Sequence, residues 1–228
     1  MALSLCIFDA YGTLFDVAGA ARRAAAEPGQ AALAACWQRL SQDWRAKQLE
    51  YTWQRAITGD HADFGLVTAQ ALDWAMEMCG LDDAPLHARL MALYDELPAY
   101  AEVPAMLARL NATGARTAIL SNGSPAMLAA AIGSAGIGGS LDAVLSVEAV
   151  GRFKPAPEVY GLVEAHFALP PGRAMFVSSN GWDVAAAAGF GFHTVWVNRA
   201  GLPVDRLPHR PARILSDLSS IPDLPEFQ

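Results

Sequence analysis

Leu3-Ser-Leu-Cys-Ile-Phe-Asp9-Ala-Tyr-Gly-Thr-Leu-Phe15 is a short apolar run that stops at an acid. Leu5 to Phe8 reads as a strand, and an aspartate at its carboxyl end stands where open α/β sheets keep their chemistry. Two residues on, position 11 is Tyr11 and not a second acid. The absence of an acid at that position separates two chemistries, one that needs a proton donor beside Asp9 and one that does not.

From about residue 98 the chain alternates β-rich runs with helical stretches, the rhythm of a parallel sheet. Further strands are expected at Thr117 to Leu120, Ala143 to Val147, Met175 to Val177 and Thr194 to Val197. Pro104 opens a helix that Gly114 stops, and Ser124 with Pro125 gives an N-cap followed by proline at the first helical position. Pro157 and Glu158 start a helix toward Phe167, and Trp182 to Ala188 reads as an alanine-rich helix ended by Gly189. After Arg199 a proline-rich tail is expected to wrap the surface and fray.

Residues 16–97 have no convincing strand and read as helical, most clearly at Ala31 to Ile57 and Val67 to Cys79. A crossover between parallel strands needs only about a dozen residues, so this segment is surplus. The expected architecture is α/β: a Rossmann-like parallel-sheet core over 1–15 and 98–228, with a helical cap domain, 16–97, inserted after the first strand.

A chain of 228 residues, 53% hydrophobic, can bury a full core. Its net charge of −7 and pI near 5.1, with no Lys/Arg run, argue against nucleic acid or an anionic membrane as partner. No segment has the roughly 18 apolar residues a membrane span needs, and no basic leader with a cleavage site precedes the first strand. Cys6, Cys36 and Cys79 lie far apart in sequence with no metal-site or disulfide spacing, which reads as reduced, buried thiols in a cytoplasmic protein. The five histidines are scattered and no Gly-x-Ser-x-Gly elbow exists, so serine hydrolysis has no signal.

Four expected strands end in polar residues: Asp9; Ser121 and Asn122; Lys154, in the loop after the third; and Ser178, Ser179 and Asn180. In a doubly wound sheet these ends share one rim. A carboxylate, an ammonium, hydroxyls and carboxamides converging there suit a small anionic substrate. Taken alone, Asp9 is equally a loop cap and Lys154 a surface lysine.

Asp9-Ala-Tyr-Gly-Thr13, Ser121-Asn122-Gly123, Lys154-Pro155 and Ser178-Ser-Asn-Gly-Trp-Asp183 fall in the order of the haloacid dehalogenase superfamily's motifs, which the chain resembles over nearly its whole length. The insert, with Trp44-Arg-Ala-Lys-Gln-Leu-Glu-Tyr-Thr-Trp53, is similar to the cap of the L-2-haloacid dehalogenases. The resemblance makes Asp9 the nucleophile, a carboxylate that can attack carbon or phosphorus and form a covalent intermediate. It implies that Arg45, Asn122 and Trp182 receive the departing halide, although an arbitrary helix arginine is more often solvated and Trp182 is equally plain core. Ser121, with the backbone N–H groups of Ala10 and Tyr11, would hold the substrate carboxylate. Lys154 would compensate the charge of Asp9, Thr13 fix its loop, and Tyr160 and Asp183 partner Lys154. Tyr11, Leu49, Phe64 and Trp182 would form an apolar wall that excludes water. Ala46 stands where the family often has Gln, which implies a roomier wall.

In the superfamily's phosphatases an acid two residues after the nucleophile protonates the leaving alcohol, and carboxylates after the fourth strand help hold Mg²⁺. Here Tyr11 and Ser178-Ser179 take those places, leaving Asp183. A dication wants several hard oxygen ligands, and an alkoxide needs an acid to depart, whereas halide leaves unaided. The expected reaction is hydrolysis of a short L-2-haloalkanoic acid to the (R)-2-hydroxy acid, through an aspartyl ester, with inversion and no cofactor. Ser178, Asn180, Lys154 and Asp183 would place the hydrolytic water. The alternatives are hydrolysis of a strained-ring carboxylic acid at the same nucleophile, a Mg²⁺-dependent phosphatase, and a silent carboxylate-binding protein. A homodimer is implied by the resemblance alone.

Overall fold

β1 (Leu5–Phe8) has every residue buried, because it is hydrogen-bonded in parallel on both sides. It pairs Leu5 with Arg116 on β2 (Arg116–Ser121) and with Ala174 on β4 (Ala174–Ser178). Outward from these lie β3 (Ala143–Ser146) beside β2, β5 (His193–Val197) beside β4, and β6 (Arg213–Leu215) beside β5. The computed structural model describes residues 3–227 and shows one six-stranded parallel sheet in the order β3-β2-β1-β4-β5-β6. The strand order reverses at β1, the switch point at which such sheets form their crevice. Polar residues at the carboxyl ends of β1, β2 and β4 therefore face one another.

Between β1 and β2 run α1 (Gly19–Ala25), α2 (Ala31–Thr58), α3 (Phe64–Met78), α4 (Ala84–Asp95) and α5 (Val103–Ala112). The first four lie within residues 16–97. α2 buries Leu33, Leu40, Trp44, Gln48 and Thr52, the last four at a strict spacing of four that makes one stripe. That stripe faces α3, which contributes Val67, Ala71, Leu72 and Ala75, while Leu86, Leu90 and Leu93 of α4 are also buried. Each fully buried leucine contributes about 1.5–3 kcal/mol. α3 starts at Phe64, ahead of the expected Val67, because the Asp63 carboxylate accepts the Gly65 N–H at 2.7 Å.

The two ends of this helical segment lie together. Asp16 N–H donates to the Pro98 carbonyl and Tyr100 N–H to the Leu14 carbonyl, each at 2.9 Å, and Phe15 bridges Ala99 in antiparallel fashion.

The sheet is completed by α6 (Pro125–Ala135), capped by Ser124 as expected, α7 (Pro157–Phe167) and α8 (Gly181–Phe190). α8 passes Gly189 and stops at Gly191, whose φ of +113° is the left-handed conformation that ends helices. Gly189 serves closeness instead: a Cβ there would lie 2.6 Å from the His209 ring. The proline-rich tail also departs from expectation. It supplies β6, and Leu218, Ile221 and Phe227 are buried, with Leu3 N–H donating to the Glu226 carbonyl at 2.6 Å. Three further apolar side chains on the core outweigh the poor strand signal. Met1, Ala2 and Gln228 lie outside the described residues.

Cys6 is buried as expected, but Cys36 and Cys79 are half-buried and meet where α2 packs on the end of α3. Burial, then a hydrogen bond with the Cys36 thiol, pushes the Cys79 thiol up to about 11. Separation along the sequence hid this contact. All three cysteines are free.

Candidate active site

The β1 backbone holds Asp9 rigidly, its N–H donating to the Val177 carbonyl at 2.9 Å. Asp9 is 6% exposed, and both carboxylate oxygens are occupied by donors. Oδ2 accepts from Thr13 Oγ1 and from Asn180 Nδ2, each at 3.0 Å, and Oδ1 accepts from Lys154 Nζ at 3.2 Å. The turn after β1 is tied by the Ala10 carbonyl, which accepts from the N–H groups of Thr13, Leu14 and Phe15. Thr13 also accepts the Ser179 N–H at 2.8 Å, locking this turn to the one after β4.

Lys154, 1% exposed, bridges two carboxylates, with Asp183 Oδ2 at 3.0 Å on the far side from Asp9. Tyr160 donates to Asp183 Oδ1 at 2.7 Å. Burial by itself would lower the Lys154 ammonium, but Asp183 and Asp9 more than offset this and hold it above the ordinary lysine value. Burial is also the main reason Asp183 is raised; Lys154 and the Tyr160 hydroxyl pull it down while Asp9 adds to the rise. Two carboxylates sharing one ammonium carry a net negative charge, which favours the protonated form of Lys154. The Lys154 ammonium already pairs with both Asp9 and Asp183, and the other side chains at the end of β4, Ser178 and Ser179, are neutral; among the described residues no group of three or more Asp, Glu, His or Cys side chains could hold a metal ion. This donor set does not fit Mg²⁺.

On the β2 side, Ser121 Oγ accepts the Gly123 N–H at 3.1 Å and Asn122 Oδ1 accepts the Lys154 N–H at 2.9 Å, so Asn122 also fixes the lysine's backbone. On the β4 side, Ser178 Oγ accepts the Asn180 N–H at 3.1 Å and orients the amide that reaches Asp9.

α2 brings Arg45 over this rim. Its guanidinium donates to the Tyr11 carbonyl at 3.1 Å, to Asn180 Oδ1 at 3.4 Å and to Gln48 Oε1 at 2.8 Å. Asn180 thus links Arg45 and Asp9 through its two ends. Asp9, Tyr11, Arg45, Leu49, Phe64, Ser121, Asn122, Lys154, Asn180 and Trp182 line one cavity of about 10 Å³, room for about one water. Ala10, Thr13, Tyr160, Ser178 and Asp183 stand behind it. The Tyr11 ring stacks on Tyr94 at 5.5 Å and lies 5.7 Å from Phe64, and burial holds its phenol well above the ordinary tyrosine value. Ala46 is exposed and does not line the cavity. The helix presents Arg45 and Leu49, four residues apart, and turns Ala46 aside, so the roomier wall does not arise there.

The sequence from 3 to 191 matches the model of the haloacid dehalogenase-like hydrolases. The chain belongs to that family. Among relatives of this haloacid dehalogenase-like hydrolase, (S)-2-haloacid dehalogenase 1 of Pseudomonas sp. (strain CBS-3) is 41% identical over 96% of this chain and 95% of the relative. (S)-2-haloacid dehalogenase 4A of Burkholderia cepacia is 42% identical over 88% of this chain and 85% of its own. The structure of L-2-haloacid dehalogenase from Xanthobacter autotrophicus with chloropropionic acid covalently bound superposes with a TM-score of 0.86 at 36% identity, covering 97% of this chain and 98% of that one.

Several residues around this hydrolase's cavity went unmarked in the sequence. Gln48 is 1% exposed and touches Arg45, Thr68 and Tyr94. A legible signal existed: it is the amide in the buried stripe Leu40, Trp44, Gln48, Thr52. Trp53 meets Trp182 edge-on at 5.4 Å. Arg199 donates to the Thr13 carbonyl at 3.1 Å and pairs with Glu102 at 2.7 Å, bracing the turn after β1. Nothing local in the sequence ties position 199 to position 13.

Proposed function

We propose that the protein is a metal-independent (S)-2-haloacid dehalogenase, hydrolysing short L-2-haloalkanoic acids to (R)-2-hydroxy acids and halide. The observation that carries the proposal is a buried carboxylate, Asp9, sharing a cavity with a guanidinium, Arg45, while Tyr11 fills the place of a proton donor. A leaving group that needed protonation would find a phenol whose own pKa burial has raised. Halide departs as an anion, and a guanidinium with weak hydration stabilises it where charge develops.

In the first step Asp9 attacks Cα from the face opposite the halogen, forming the ester and expelling halide toward Arg45, Asn122 and Trp182. Ser121 and the N–H groups of Ala10 and Tyr11 hold the substrate carboxylate. Tyr11, Leu49, Phe64 and Trp182 exclude water, since a solvated carboxylate is a poor nucleophile. Esterification removes the charge of Asp9 and leaves Lys154 paired with Asp183. Water then attacks the carboxyl carbon of Asp9, placed by Ser178, Asn180 and Lys154. Asp183, whose pKa is raised by burial, accepts the water's proton and returns it to the hydroxy-acid oxygen as the bond between that oxygen and the carboxyl carbon breaks, so that the hydroxy acid leaves neutral at that oxygen and the Asp9 carboxylate is regenerated. Thr13 and Tyr160 hold Asp9 and Asp183 in place.

The helical insert over 16–97 serves in this reading as a cap on the core formed by 1–15 and 98–228. Exposed Leu66 and Met78 on α3 support a homodimer joined through cap helices. Two neighbouring thiols that remain free fit a reducing, cytoplasmic setting. Among the described residues no helix is long and apolar enough to cross a membrane.

A single turnover of (S)-2-chloropropionate in ¹⁸O-water, followed by mass spectrometry of the Asp9 peptide, tests the chemistry. Label in Asp9 with chloride and (R)-lactate released is expected. Label entering lactate directly, with Asp9 unlabelled, refutes the ester. Absence of chloride release redirects the assignment to a strained-ring acid.

A further inference from the structure

Arg45 is held entirely by neutral acceptors: a carbonyl, a carboxamide and Gln48, and among the described residues it makes no ion pair. The shortest of these contacts comes from Gln48, one helical turn along α2. Because guanidinium only donates, Gln48 must present Oε1 to it, and this fixes the amide's orientation. Nε2 then donates to Thr68 Oγ1 at 2.8 Å and to the Tyr94 hydroxyl at 3.1 Å. Thr68 can accept because its own proton goes to the Phe64 carbonyl at 2.7 Å, and Tyr94 can return its proton to Gln48 Oε1 at 3.3 Å. Each hydrogen-bonding site of the buried amide has a partner, and the chain of donors ends in the α3 backbone.

We propose that Gln48 is the positioning residue of Arg45, a neutral tether that aims the guanidinium into the cavity while leaving its full charge for the departing halide. The proposal rests on the dehalogenase reading. Glutamate has the same length and would hold Arg45 more strongly, but its charge would cancel the one the transition state uses. The choice of the amide over the acid is the observation that a packing role does not explain.

The test compares Gln48→Glu and Gln48→Met with the parent enzyme on (S)-2-chloropropionate, with folding checked by thermal melts. Gln48→Glu should lower kcat about 10²- to 10³-fold at neutral pH and leave KM within about threefold, because the cancelled charge acts only as halide charge develops. Its activity relative to the parent should recover as acidification neutralises the introduced carboxyl. The titratable groups facing that carboxyl are Arg45 and Tyr94, and Tyr94, raised by burial, stays neutral throughout. Gln48→Met, which loosens the tether and adds no charge, should lose about tenfold in kcat with an unchanged pH profile. Bromide binding, read from tryptophan fluorescence, should weaken at least tenfold in Gln48→Glu, a readout that stands even if the parent dehalogenates nothing. The proposal is overturned if Gln48→Glu keeps kcat and bromide affinity within twofold, or if it loses the same factor at every pH. Should Gln48→Glu fail to fold, parent-like kcat in Gln48→Met overturns it alone.

Discussion

Replacing Lys154 by methionine tests how far the buried triad holds the site together. The side chain is 1% exposed and its ammonium lies 3.2 Å from Asp9 and 3.0 Å from Asp183, itself fully buried. Methionine keeps most of the aliphatic stem, so the packing loss is small, under about 1.5 kcal/mol. Leaving a buried charge without its partner costs about 3–5 kcal/mol, a large share of the ~5–15 kcal/mol of a typical domain. At ~2–4 °C per kcal/mol for a chain of this size, the melting temperature should fall by about 6–20 °C. The pH dependence carries the sign. With the ammonium gone, the folded pKa of Asp183, already raised by burial, lies further above the unfolded value of about 3.9, so the folded state binds a proton there more tightly. Stability is then greatest at low pH and is lost as pH rises through the folded pKa. Lys154→Met should accordingly lose more stability relative to the parent at pH 8 than at pH 5. In the parent, the raised ammonium contributes stability fully below about pH 10.4 and loses it as pH climbs through the folded value. Urea unfolding at both pH values provides the measurement, with Lys154→Met/Asp183→Asn as the partner variant. If the double variant is no more stable than the single, or the single loses less than ~1 kcal/mol at both pH values, the triad does not behave as a buried charge cluster and the reasoning fails.

Gly123→Ala puts a Cβ 2.7 Å from the Tyr11 ring; it should cost about 1–3 kcal/mol in denaturant melts and lower kcat by displacing the cavity wall, and parent-like values for both would refute the contact. Arg45→Lys keeps the charge but replaces a planar fork by a point charge; kcat should fall about 10²-fold with little change in KM, as read by chloride release. Trp182 lines both the Asp9 cavity and an apolar cavity of about 540 Å³ that Trp53, Ile57 and Leu207 also line. Trp182→Ala should therefore raise kcat/KM for 2-chlorohexanoate relative to 2-chloropropionate, and an unchanged ratio would show that the two spaces do not join. Dialysis against chelator should leave turnover within experimental error, whereas activity restored by Mg²⁺ would contradict metal independence.

The rim was legible because strand ends in a parallel sheet converge by topology. Asp9, Ser121 and Asn180 needed only their strands to be found, and Lys154 the loop beyond β3. Arg45, Leu49 and Phe64 came from resemblance to a cap and not from pattern, since nothing in α2 alone says which face meets the core. Gln48 was readable in principle from its place in an apolar stripe. Arg199, the Cys36–Cys79 contact and β6 were not: each depends on segments distant in sequence. Gly189 shows the reverse error, in which a helix-ending residue by composition was required by the approach of His209.

The meeting of Asp16 with Pro98 and of Phe15 with Ala99 bears on how this chain can change over evolutionary time. The eighty-odd residues between those contacts hang from a neck where both strands of the excursion touch. What hangs there can be lengthened, shortened or exchanged without altering the separation of its two attachment points. The sheet need not adjust, and Asp9, only a few residues upstream of the neck, keeps its place on the central strand. New surfaces can therefore be presented to one unchanged aspartate by replacing a single continuous stretch of sequence.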